Sequence, residues 1–140
     1  MLQRRRKEWG ARAGTDETFP GPSSGCVVWY LYRTAHFLVR REGELMQLVP
    51  CTKRAWHAGS SSWRGRERCN DFSVGIELEG TDDSAFAAAQ YLRLAQLART
   101  LQYLLPISDI AGHSDVAPGR KSDPGVQFSW KRFLSDLARV

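Results

Sequence analysis

One segment, GHSDVAPGRKSDPG from Gly112 to Gly125, gathers a histidine, a lysine and an aspartate whose types could do chemistry together: His113, Lys121 and Asp123. Imidazole and carboxylate are both zinc ligands, binding at ~2.0–2.2 Å from the metal. Gly112, Pro118, Gly119, Pro124 and Gly125 suit a loop whose ends converge. Spacing alone leaves two readings open, a metal-binding pair and a solvated loop histidine with an acid nearby. Lys121 likewise reads either as a surface cation or as a fixed positive charge aimed at a developing oxyanion. A fourth group is Glu77, which could accept a proton from water that a catalytic zinc has acidified to a pKa of about 7. Its plainer role is a carboxylate paired with an arginine.

The elements that must position these groups are legible in the flanking sequence. FSVGIELEG, Phe72 to Gly80, alternates as a strand, with Phe72, Val74, Ile76 and Leu78 toward a core. Ser73, Gly75, Glu77 and Glu79 take its other face. HFLVRREGELMQLVP predicts a hairpin over His36 to Pro50, turning at Glu42 and Gly43. CVVWYLY, from Cys26, is a further β-branched and aromatic run. Asp82, Asp83 and Ser84 are N-cap candidates for a helix that carries Leu94, Leu97, Leu101 and Leu104 at helical spacing, and Pro106 ends it. A last helix places Trp130, Phe133, Leu134 and Leu137 on one stripe. Strands mixed with helices predict an α/β fold, a mixed β-sheet flanked by helices.

At 140 residues the chain is expected to be a single domain with one core. Residues 1–33 read as a divergent, irregular N-terminal segment and residues 34–140 as the domain proper. The net charge is +5, but Arg4, Arg5, Arg6, Lys7 and Arg12 against Glu8 place most of it in the first twelve residues. The rest of the chain is close to neutral and lacks basic patches interleaved with aromatics, which argues against a nucleic-acid partner. The basic start MLQRRRKEW is not followed by the apolar core and small-residue cleavage site of a signal peptide, and no apolar run is long enough for a membrane span, so a cytoplasmic chain without a membrane partner, and a monomer, is expected. Cys26, Cys51 and Cys69 match no metal-binding spacing and read as reduced packing residues.

Three segments together carry a resemblance: HFLVRREGELMQLVP, RAWHAGSSSWRGRERCNDFSVGIELEGTD and GHSDVAPGRKSDPG. They closely resemble the AmpD-type anhydro-N-acetylmuramyl-L-alanine amidases of the zinc amidase and peptidoglycan recognition protein superfamily, from about Thr34 to the C-terminus. The resemblance implies a cytoplasmic enzyme of bacterial wall recycling. Its substrate would be an anhydro-muropeptide, cleaved at the amide between the lactyl group and L-alanine. It also implies Zn2+ as cofactor, with His113 and Asp123 as metal ligands and Lys121 and Glu77 as catalytic residues. Strand alternation alone does not separate Glu77 from Glu79; the resemblance selects Glu77. Trp56 and Arg68 match positions expected to line the substrate groove, and His36 and His57 match recurrent histidines of structural or supporting role.

The likeness stops where a third zinc ligand is due. The family has a histidine at the end of an early strand, followed by a long loop, whereas no histidine precedes His36 here. In CVVWYLY the apolar pair Val27 and Val28 leads into Trp29, and indole has no lone pair to offer a metal. The expected sheet therefore lacks the family's first strand and following loop. Two expectations follow: an active amidase in which Cys26, His36 or His57 replaces the ligand, or a degenerate member that binds muropeptide without turnover or is a non-functional remnant.

Overall fold

The computed structural model of the chain describes residues 2–5, 34–80 and 84–140. The run from Cys26 and the cap candidates Asp82 and Asp83 lie outside the described residues. The expected hairpin forms as β2 (Phe37–Val39) and β3 (Leu45–Gln47), antiparallel with Phe37 opposite Gln47 and Val39 opposite Leu45. Its turn relies on Gly43, at φ 84°, where a Cβ would be strained and would sit 3.1 Å from the Ala89 carbonyl oxygen.

A small antiparallel pair follows, β4 (Ser62–Trp63) with β5 (Arg66–Glu67), and then a single 3-10 turn at Cys69–Asp71. The strand expected over Phe72 to Gly80 is shorter, β6 (Ile76–Glu79). Its first residues are diverted because the Gly75 carbonyl accepts from His36 N and Phe37 N, at 2.9 and 3.1 Å. β6 runs parallel to β2, with Ile76 beside Phe37 and Leu78 beside Val39.

On its other edge β6 pairs in parallel with β1 (Leu2–Arg5), giving a mixed sheet in the order β1-β6-β2-β3. This corrects the reading of the N-terminal segment as irregular at those four residues. Their sequence, LQRR, carries no apolar alternation; an edge strand offers unpaired backbone groups, and pairing with them needs no particular side chain.

The helix-side face of the sheet is built from Phe37, Val39, Ile76 and Leu78, all buried. They pack on α1 (Ala88–Leu104) through Tyr91, Leu94, Leu97 and Leu101, and on α3 (Trp130–Leu137) through Phe133. A fully buried Phe133 contributes about 1.5–3 kcal/mol to this core.

Two leucines depart from the expected stripes: Leu104 is 65 % exposed and Leu134 55 %. Leu104 falls on the final turn of its helix, past the sheet, and Leu134 follows the one fully buried position of α3 by a single residue. The helix also starts later than the acidic cluster suggested. Ala87 occupies the N-cap position, and the Gln90 amide oxygen accepts from its N–H at 3.0 Å in place of a Ser or Asp side chain.

Cys69 is fully buried among Ala58, Ala111, Val116 and Ala117, and Cys51 packs at the edge of the main core. Both serve as packing residues, as expected. Cys26 lies outside the described residues.

Candidate metal and catalytic site

Alternation along β2 and β6 places His36, Leu38, Gly75 and Glu77 on the sheet face opposite the helices. Glu77 is fully buried there, in register with Leu38. Glu79 is committed elsewhere: its Oε2 accepts from Arg41 N at 3.0 Å and lies 3.5 Å from the Arg40 guanidinium. Glu79 is thus a carboxylate paired with arginine.

The opening segment folds as a closed loop on this face. His113 begins α2 (His113–Val116), one helical turn whose entry is fixed by Asp115 Oδ2 accepting from Gly112 N at 2.7 Å. Ser114 N donates to the Asp123 carbonyl at 2.9 Å, which ties the two ends together. A Cβ at Gly112 would sit 2.7 Å from Cδ of Pro124, so the close approach requires glycine. The peptide bond before Pro124 is cis. His113 Nδ1 and Asp123 Oδ2, ten positions apart in sequence, stand 2.6 Å apart.

His57 completes the cluster. Its Nδ1 is 3.4 Å from His113 Nε2 and its Nε2 is 3.4 Å from Ser73 Oγ. Lys121 Nζ donates to the His57 carbonyl at 2.9 Å, so the lysine of the loop is tied to this segment. Arg120 beside it donates to the Ala58 and Ser60 carbonyls, and Asn70 Oδ1 accepts from Ala58 N at 2.8 Å. Burial holds the imidazoles of His113 and His36 below the usual histidine range. For His57, burial and then the cationic neighbours push the pKa down to about 2.

Histidine and carboxylate are suitable zinc donors, and the loop brings His113 and Asp123 together. Catalytic zinc sites generally take three protein ligands. Among the described residues no group of three or more His, Cys, Asp or Glu could hold a metal, so the fit extends to two ligands. Two expected substitutes for the third are corrected here. His36 donates from Nε2 to the Lys53 carbonyl at 2.9 Å and accepts at Nδ1 from Gly75 N at 2.9 Å, which leaves it no free lone pair. His57 approaches His113 at Nε2, the opposite side of the ring from Asp123, so the two cannot share a metal with the Nδ1 pair.

Trp56 and Arg68 lie at the surface rather than in the cluster. Trp56 is 58 % exposed with the Arg54 guanidinium 3.8 Å from its ring centroid. Arg54 and Arg68 both bind Asp71 at 3.0 Å, which links the two predicted residues through one acid. Arg68, in a left-handed conformation at φ 62°, also borders an open groove of about 420 Å³ with Ser60, Ala117 and Arg120. Sequence reasoning missed Ser73, Asn70 and Arg120. Ser73 had a signal, since it shares the strand face of Gly75 and Glu77.

A family model for N-acetylmuramoyl-L-alanine amidases matches residues 7–126, beginning upstream of Thr34 where the motif likeness starts. The chain is 56 % identical over 111 residues to the 1,6-anhydro-N-acetylmuramyl-L-alanine amidase AmpD of Salmonella typhimurium, covering 78 % of this chain and 59 % of that protein. A crystal structure of a selenomethionine derivative of AmpD superposes with a TM-score of 0.71 at 54 % identity, over 74 % of this chain and 59 % of that one. The E. coli amidase AmiD, solved in complex with its substrate anhydro-N-acetylmuramic acid-L-Ala-D-gamma-Glu-L-Lys, gives a TM-score of 0.72 at 33 % identity. It covers 79 % of this chain and 51 % of that one. The chain thus spans about three-fifths of the length of the curated AmpD relatives it matches.

Proposed function

Because this chain belongs to the N-acetylmuramoyl-L-alanine amidase family, we propose that it hydrolyses the amide between the lactyl group and L-alanine of anhydro-muropeptides, in the cytoplasm, during peptidoglycan recycling. The observation that carries this reading is the 2.6 Å approach of His113 Nδ1 and Asp123 Oδ2. We assign the hydrolytic unit to residues 34–140.

His113 and Asp123 would hold zinc, which when bound polarises a carbonyl and acidifies water. Glu77, fully buried on the site face of β6, accepts a proton from the attacking water and returns one to the leaving amine of L-alanine. Lys121, whose ammonium is tethered to the His57 carbonyl, supplies the positive charge for the oxyanion of the tetrahedral intermediate. Trp56 and Arg68 bind the muropeptide from the surface, the indole against apolar sugar faces and the guanidinium against stem-peptide carboxylates.

The two-ligand count among the described residues favours a second reading, a chain that binds muropeptide without turning it over. One experiment separates them: zinc content of the purified protein by elemental analysis, with chromatography of an anhydro-muropeptide digest. One zinc per chain with release of the free stem peptide supports the amidase, and Glu77→Gln then lowers kcat roughly 10²–10⁴-fold while keeping the metal. Absence of zinc and product, with muropeptide binding retained in calorimetry, supports the second reading.

A further inference from the structure

One acid at the surface holds two arginines at once. Asp71, the last residue of the 3-10 turn, takes Arg54 Nε on Oδ1 and Arg68 Nε on Oδ2, each at 3.0 Å. Each carboxylate oxygen therefore serves one guanidinium, a division that needs two equivalent acceptors on one side chain. Both contacts are made through Nε, the inner nitrogen of the group. Among the described residues no other acceptor holds the Nη atoms of either arginine, so each presents its outer pair of donors. Such a fork matches a carboxylate. The side chain of Arg68 is 71 % exposed and borders the open groove, which leaves its outer end accessible to a ligand.

The same acid reaches Trp56 through Arg54, whose guanidinium lies 3.8 Å from the centroid of the indole. A cation at an aromatic face is attracted by the ring quadrupole, so fixing Arg54 also steadies the ring against it. Arg68 adopts φ 62° and ψ 57°, a left-handed conformation that glycine takes freely and arginine does not. Backbone bonds fasten it on both sides: Arg68 N donates to the Ser61 carbonyl at 2.8 Å, and Asp71 N donates to the Arg68 carbonyl at 2.9 Å. Its side chain is thereby returned onto Asp71, three positions on. Two guanidiniums against one carboxylate leave one positive charge of the trio unmatched, which suits a single anionic group.

We propose that Asp71 is a positioning residue that clips Arg54 and Arg68 by their Nε atoms, so that the outer guanidinium ends receive one carboxylate of the ligand's stem peptide beside the Trp56 ring. The inference rests on the groove role proposed above for Trp56 and Arg68, and it adds Arg54 and Asp71 to that role. A long exposed arginine loses rotamer freedom when it binds an anion, and one already clipped has lost it beforehand. Asp71 also acts in the other direction, because it lowers the net charge that attracts the anion. Positioning is worth about 2–10-fold in affinity for each arginine held, and it outweighs the charge effect once salt screens the latter.

The test is calorimetry on the full chain in a Glu77→Gln background, where the ligand is not consumed, at about 0.5 M salt. Two probes are compared, an anhydro-muropeptide with free stem carboxylates and the same molecule with those carboxylates amidated. Asp71→Ala frees both arginines and is expected to weaken the free acid about 5–100-fold. Asp71→Asn keeps one acceptor oxygen and is expected to weaken it about 2–10-fold. The amidated probe should change by less than about 2-fold in either, since a carboxamide offers the forks one oxygen and no charge. Asp71→Glu keeps both oxygens and is expected to restore the free-acid affinity. Equal losses for both probes in variants that still unfold cooperatively would overturn the proposal, because a merely structural role moves the two together. A free-acid affinity unchanged or raised in Asp71→Ala would overturn it as well. If the chain binds neither probe, the groove role of Trp56 and Arg68 fails on its own. Nitrogen-15 relaxation of the arginine Nε–H groups then decides the clip without a ligand. Order parameters of Arg54 and Arg68 above about 0.6 that fall below it in Asp71→Ala sustain the clip, and values low from the start or unmoved by the substitution refute it.

Discussion

Replacing Gly75 by alanine is the sharpest probe of how the site is held. The added Cβ would lie 2.4, 2.5 and 2.8 Å from Cγ, Cδ2 and Cβ of His57, where ordinary contact begins near 3.4 Å. The ring must retreat by roughly 1 Å, and it is buried with both nitrogens engaged. Overpacking of this kind costs about 1–3 kcal/mol, offset by ~0.4–1 kcal/mol from the lower entropy of the unfolded chain. A net loss of about 1–2 kcal/mol lowers Tm by roughly 3–10 °C in a domain of this size. Thermal unfolding of the metal-free protein reads it directly. The cause is identified by a double-mutant cycle: with His57→Ala already in place, Gly75→Ala should cost nothing and instead stabilise by ~0.4–1 kcal/mol. A Tm unchanged in the single variant, or an equal loss in both backgrounds, would refute the steric argument.

Stability of the metal-free protein should fall with acid below about pH 6.5. All three histidines have folded pKa values depressed by burial, so their contribution is present above the unfolded value and lost as pH falls toward the folded one. His57, whose folded value lies at about 2, adds a slope approaching about 1.4 kcal/mol per pH unit below the unfolded value, and a urea midpoint that stays flat from pH 7 to 5 would contradict this. Gln90→Leu should destabilise by about 2–3 kcal/mol, because fully buried Gln90 donates to the Glu79 carbonyl at 2.8 Å and its loss strands that acceptor. Urea titration at pH 7 tests it, and a loss below about 0.5 kcal/mol would show that water replaces the amide. Arg120→Ala releases the Ala58 and Ser60 carbonyls and is expected to cost about 1–2 kcal/mol by the same measurement, with faster proteolysis near Gly59. An unchanged midpoint and cleavage rate would mean that the latch does not hold the loop.

Local patterns in the sequence were sufficient for a large part of this protein. Alternation from Ile76 to Glu79 told which residues share a sheet face, and helical spacing told that Leu94, Leu97 and Leu101 are core. The Gly- and Pro-rich spacing between His113 and Asp123 implied convergence, because a ten-residue separation inside a loop leaves few ways to close it. These are consequences of backbone geometry over a few residues, and a sequence displays them directly. The end of α1 was legible at Pro106 for the same reason, whereas Leu104 and Leu134 were misread because spacing does not say where a partner surface stops.

Only the tertiary structure decided which nitrogen of each histidine faces what. His57 meets His113 across 56 positions, Gly75 meets His36 across 39, and Lys121 meets the His57 carbonyl across 64. His36 and His57 are both histidines beside the same strand, and nothing in their types or neighbours separates them. The parallel register of β2 and β6 sets Gly75 N against His36 Nδ1 and the turn after β3 brings the Lys53 carbonyl to Nε2, while the latch of Arg120 and Lys121 onto residues 57–60 leaves His57 against the loop. Hydrogen-bond partners at that distance depend on strand register and loop closure together, and those are properties of the assembled fold.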